Sequence, residues 1–126
     1  MLSGVDETTT VPGDARAVRH ARRFTRRVCG QAGIGGDLCD SAVLLTSEVV
    51  TNAVIHGRSE ARLRVIVDAG HVRVEVGDDN SRHPVVQPAD DDALDGRGLH
   101  LLAVLASAWG VRDDAIGKTV WFEIRA

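Results

Sequence analysis

The sequence predicts an α+β fold: a two-layer sandwich with three helices on one face of a mixed, mostly antiparallel sheet. Three observations predict it. Residues 17–28 and 38–54 carry apolar side chains at spacings of three and four, the signature of helices with buried faces. Residues 62–76 switch to strict alternation, the signature of half-buried strands. After a long aperiodic stretch, a third helical segment leads back into alternation over 119–125. The chain has 126 residues, 44% of them hydrophobic and 26% charged, which fits one domain. Aromatics are only 3%, so the core has to be built from Val, Leu, Ile and Ala.

Residues 1–12 are polar and Thr-rich and read as an edge strand or a loose arm, with the domain proper spanning 13–126. Asp14 can cap a helix running to about Gln31, whose apolar stripe is Ala17, Ala21, Phe24 and Val28. Arg16, Arg19, Arg22, Arg23, Arg26 and Arg27 fall on its other side. That face is either solvated or a docking surface for an acidic partner. Gly33-Ile34-Gly35-Gly36 breaks the chain, and Asp37 is a good cap for a second helix to about His56, ended by Gly57. Leu38, Ala42, Leu45, Val49 and Ala53 line one side of it, and Val43, Val50 and Val54 another. A helix apolar on two sides should be covered on two sides.

Leu63, Val65 and Val67, then Val72, Val74 and Val76, alternate with polar residues around the short connection Asp68-Ala69-Gly70-His71, a hairpin. From Asp79 to Asp95 there is no periodicity, only Pro84, Pro88 and the acidic run Asp90-Asp91-Asp92. A stretch that long within a compact domain is usually functional. Gly96 and Gly98 open the third helix through Leu99, Leu102, Leu105 and Ala106. Residues 109–112 and 119–125 read as a closing hairpin with Val120, Phe122 and Ile124 facing inward.

Composition excludes several classes. No apolar run approaches the ~20 residues that span a bilayer, and Met1–Pro12 holds no apolar leader core, so the expected compartment is the cytoplasm. The net charge of −3 gives no drive toward nucleic acid. Cys29 and Cys39 are expected as buried free thiols, and neither stands at metal-ligand spacing from a histidine.

The chemistry concentrates in four places. Glu48, Asn52 and His56 fall at i, i+4 and i+8, forming a polar stripe on an otherwise apolar helix. The stripe is either the wet edge of that helix or the wall of a cleft. In a cleft, an amide oxygen and a carboxylate are suitable hard ligands for Mg²⁺ or can position a nucleophile. Asp78 ends an alternating strand, where it can terminate the strand or accept a hydrogen bond from an exocyclic amine. Gly96-Arg97-Gly98-Leu99 precedes a helix, where free N–H groups and the helix dipole favour phosphate. Its third glycine would fall at Leu101, so it is no dinucleotide fingerprint. Gly117-Lys118-Thr119 is not a P-loop: Arg112 stands where the first glycine is needed, and a strand follows instead of a helix.

Taken in order, Glu48-x-x-x-Asn52-Ala-x-x-His56, Asp78 after a strand, Gly96-x-Gly98-Leu99 before a helix and Gly117-x-Thr119 resemble the GHKL ATP-binding superfamily (gyrase, Hsp90, histidine kinases, MutL). The pattern is most similar to bacterial anti-sigma factor serine kinases related to SpoIIAB and RsbW, from about Pro12 to Arg125. The resemblance implies a Bergerat fold holding ATP and Mg²⁺ beneath a lid at residues 79–95. It implies Glu48 as general base, Asn52 as Mg²⁺ ligand, and His56 beside them on the nucleotide. Asp78 would accept from the adenine amine, with Thr119 assisting through water. Gly96 and Gly98 would hinge the lid and bring helix N–H groups to the phosphates, with Arg97, Leu99 and Arg82 also on the nucleotide. Such kinases phosphorylate a serine of a STAS-domain anti-anti-sigma factor and bind a sigma factor when that antagonist is phosphorylated. Direct contact with nucleic acid or membrane is not expected. Members commonly form homodimers, and no surface of this sequence can be assigned to that contact. One departure stands out. The family's Asp-x-Gly-x-Gly box reads Asp78-Asp79-Asn80-Ser81-Arg82, without either glycine. Asn80 can enter left-handed space at modest cost, and Arg82 could offer charge to the phosphates. The departure leaves open a second function, a catalytically weak or inactive module that regulates by protein binding.

Overall fold

The structure, a computed structural model, describes residues 4–57, 59–78, 100–114 and 117–125. Its elements run β1 (Val5–Val11), α1 (Ala17–Gln31), α2 (Gly36–Gly57), β2 (Ala61–Asp68), β3 (His71–Asp78), a helical segment at 100–105, β4 (Ala108–Asp114) and β5 (Gly117–Arg125). The five strands form one sheet in the order β1-β2-β3-β5-β4. Every described pairing is antiparallel, in line with the mostly antiparallel sheet expected. The connection from β3 to β4 skips one place, and β5 turns back into the gap, so it runs opposite to both neighbours.

Alternation decides which face is covered. Leu63, Val65, Val67, Val72, Val74, Val76, Phe122 and Ile124 all point to one side and are at most 5% exposed. The helices lie on that side: α1 over β1 and β2, α2 over β3 and β5, with the two helices packed on each other. Packed against α1 on one side and the sheet on another, α2 buries Ala42, Val43, Leu45, Val49 and Val50, which explains its apolar residues on two sides. Leu102 of the third helical segment joins the same core at 2% exposure. Gly96 and Gly98, expected to open that helix, lie outside the described residues.

Local details depart from expectation where a side chain is claimed by a neighbour. Asp14 does not cap α1. Its carboxylate accepts from the backbone N–H of Arg16 (2.9 Å) and from that residue's guanidinium (2.7 and 3.0 Å). The N-cap position falls to Arg16, which makes no side-chain capping bond. Asp37 sits inside the first turn of α2 instead of ahead of it, where its charge still complements the helix dipole. The β2–β3 hairpin turns on Ala69 (φ 52°) and Gly70 (φ 77°), the paired left-handed geometry that suits the twist of a two-residue hairpin. Residues 5–11 are an edge strand and not a loose arm. Cys29 and Cys39 are free and buried, as expected.

Candidate functional site

α2 carries the catalytic candidates because it is the most enclosed helix. Its apolar residues pack against both α1 and the sheet, and Glu48 and Asn52, one turn apart, are half-buried. Ser47 locks the neighbouring turn. Its hydroxyl donates to the Val43 carbonyl (2.9 Å) and accepts from Arg22 Nε of α1 (2.9 Å). Nothing local in the sequence marked Ser47 for this role, since its partner lies 25 residues away. His56 closes the helix, and its side chain lies outside the described set.

Asp78 ends β3 in the same alternating phase as Val72, Val74 and Val76, so its carboxylate faces the helix layer, only 9% exposed. A carboxylate buried there is costly unless it is hydrogen-bonded. α2 packs across β3, so Glu48, Asn52 and Asp78 belong to one side of the sheet.

Thr119 does not join them. It pairs with Gly77, one register position from Asp78, and its Oγ1 lies 3.4 Å from where a Cβ on Gly77 would stand. Because successive strand residues point to opposite faces, its hydroxyl is on the outer face, beside Arg62. The pleat thus turns Thr119 away from the face that Asp78 occupies. Arg82, Gly96, Arg97, Gly98 and Leu99, and the expected lid over 79–95, all lie outside the described residues.

Among the described residues no group of three or more His, Cys, Asp or Glu could hold a metal. The Asn52 amide oxygen on α2 is of the donor type that Mg²⁺ takes. That ion is typically held by one or two protein oxygens, with substrate phosphates and water filling the rest. No helix among the described residues is long and apolar enough to cross a membrane.

The family model of the histidine kinase-like ATPase domain matches residues 11–124. No curated protein matches the chain. Among solved structures, a chain of the SiaB–SiaC complex from Pseudomonas aeruginosa shares the fold, with a TM-score of 0.60 at 13% identity. The match covers 95% of this chain and 88% of that one.

Proposed function

The chain belongs to the histidine kinase-like ATPase domain family, and on that premise we propose that it is an anti-sigma factor kinase, transferring the γ-phosphoryl of ATP to a serine of a STAS-domain antagonist. One observation carries the proposal. Glu48 and Asn52 stand half-buried on α2, the helix that crosses β3, where Asp78 is buried on the same face.

Phosphoryl transfer asks a protein mainly for positioning and charge neutralisation. Asp78 accepts a hydrogen bond from the exocyclic amine and so selects adenine. The Asn52 amide oxygen would hold Mg²⁺, and the ion would supply charge neutralisation for the phosphates. Glu48 takes the proton of the serine hydroxyl, and the Ser47–Arg22 bond holds its turn of α2 in place. Sigma factor binding, controlled by the phosphorylation state of the antagonist, a homodimeric state and a cytoplasmic site of action belong to the same proposal. The similar solved structure is a complex of two proteins, which supports a protein partner.

A titration with Mg·ATP, followed by a transfer assay against STAS-domain proteins from the same source, tests the reading. Saturable binding and a phosphoserine on the partner are the expected results. Binding without transfer favours the second reading, a regulatory module without catalysis, for which the glycine-free box Asp78-Asp79-Asn80-Ser81-Arg82 speaks. Absence of nucleotide binding overturns the kinase.

A further inference from the structure

Lys118 is the only lysine of the chain, and its place in the sheet follows from the same pleat that turns Thr119 outward. Side chains alternate along β5, so the residue before Thr119 points to the opposite face. Lys118 is in phase with Phe122 and Ile124, which are buried on the helix side. The ladder pairs Lys118 with Asp78 of β3 on one side and with Asp113 of β4 on the other. Residues directly opposite in an antiparallel pair share a face, with Cβ atoms about 4.5–5.5 Å apart. Lys118 therefore stands beside Asp78 on the side of the sheet where α2 carries Glu48 and Asn52.

Lys118 is half-buried. Among the described residues no hydrogen bond or ion pair engages its ammonium, although a carboxylate neighbours it on each side of the ladder. Its aliphatic stem can lie along the sheet while the N–H donors at the tip stay open to a ligand.

We propose that Lys118 reads the base: beside Asp78, it donates a hydrogen bond to the ring nitrogen next to the exocyclic amine of adenine. The inference rests on the nucleotide reading above and adds to it a second residue that fixes the base. That edge of adenine offers an amine N–H beside a ring-nitrogen lone pair, a donor next to an acceptor. Asp78 supplies an acceptor and Lys118 a donor, side by side on one face. Guanine in the same orientation presents a carbonyl and a ring N–H at those two places. Each protein group would then meet its own kind, and its polar atoms would go unpaired. Thr119, on the other face, has no access to this edge.

Calorimetric titration of the full chain tests the inference. The probes are ATP, GTP and an ATP analogue in which the ring nitrogen beside the amine is replaced by C–H, each with Mg²⁺. The wild type should bind ATP roughly tenfold or more tightly than either of the others, the usual worth of a hydrogen bond to a charged group. Lys118→Met keeps the stem and removes the donors. It should lose about that factor for ATP and bind ATP and the analogue alike, and Lys118→Arg should recover part of the loss. The ratio of ATP to analogue is read within one variant, so a change in folding stability does not imitate it. Equal affinity of Lys118→Met and the wild type for ATP overturns the role of Lys118 and leaves the nucleotide reading standing. An equal loss for ATP and the analogue places the ammonium on the ribose or phosphates and overturns base reading. A wild type that binds none of the three overturns the nucleotide reading and this inference with it.

Discussion

Gly110 faces Trp121 across the β4–β5 ladder so closely that a Cβ on Gly110 would stand 2.9 Å from Trp121 Cζ2. The indole leans over the glycine, and the Arg73 guanidinium stacks on its ring at 4.5 Å from the centroid. Gly110→Ala should push the ring off this seat. The expected cost is about 1–3 kcal/mol, the usual range for overpacking, read as a melting temperature lower by several degrees. A melting curve matching the wild type would show that the ring moves aside freely.

Ala69 occupies left-handed backbone space at φ 52°, a conformation that costs a residue with a Cβ roughly 1–2 kcal/mol. Asparagine tolerates it better, and Asn-Gly is the preferred pair for this hairpin. Ala69→Asn should therefore raise the melting temperature by a few degrees. A decrease would refute this account of the turn.

Glu48→Gln should lower phosphoryl transfer ~10²–10⁴-fold, the usual contribution of a general base, while ATP affinity stays near the wild-type value. Transfer at the wild-type rate would remove Glu48 from the mechanism. Asp78→Asn should do the opposite, abolishing the rise in melting temperature expected with millimolar Mg·ATP.

Glu123 accepts hydrogen bonds from Arg73 Nη1 (2.6 Å) and from His71 Nε2 (3.2 Å). The Arg73 bond chiefly, with His71 adding to it, holds its carboxyl below the ordinary value of 4.5 against the upward push of desolvation. A carboxylate more acidic in the folded state than in the unfolded one stabilises the fold above its unfolded pKa. That contribution is lost as pH falls through the lower, folded value. Stability should hold above about pH 4.5 and decline below it, and Glu123→Gln should flatten part of the decline. An unchanged acid limb in that variant would assign the loss to other carboxylates.

Burial, with neighbouring Cys39 adding to it, pushes the Cys29 thiol up to about 12. The thiolate is the nucleophile, so native Cys29 should resist a disulfide reagent near neutral pH and react only as the chain unfolds. Rapid labelling of Cys29 in the native protein would contradict its burial.

Much of this architecture is a local property of the chain. Alternation in 62–76 and 119–125 identifies strands, because side chains on a pleat point to opposite faces in turn. Spacings of three and four in 17–28 and 38–54 identify helices for the corresponding reason. The Glu48–Asn52 stripe is legible too, since one turn of helix places it on one face whatever surrounds it. Asp78 could be placed at a strand end, and its facing follows from the phase of Val72, Val74 and Val76.

Relations between distant segments were decided only in three dimensions. Which strand pairs with which, and in what register, depends on burying apolar faces separated by many residues. Hence the order β1-β2-β3-β5-β4 and the single register position that turns Thr119 away from Asp78 emerge only from the assembled sheet. The same holds for Ser47 bonded to Arg22 and for Lys118 set beside Asp78. Periodicity belongs to a single segment and survives in isolation, whereas a neighbour exists only once the hydrophobic layers have closed on each other.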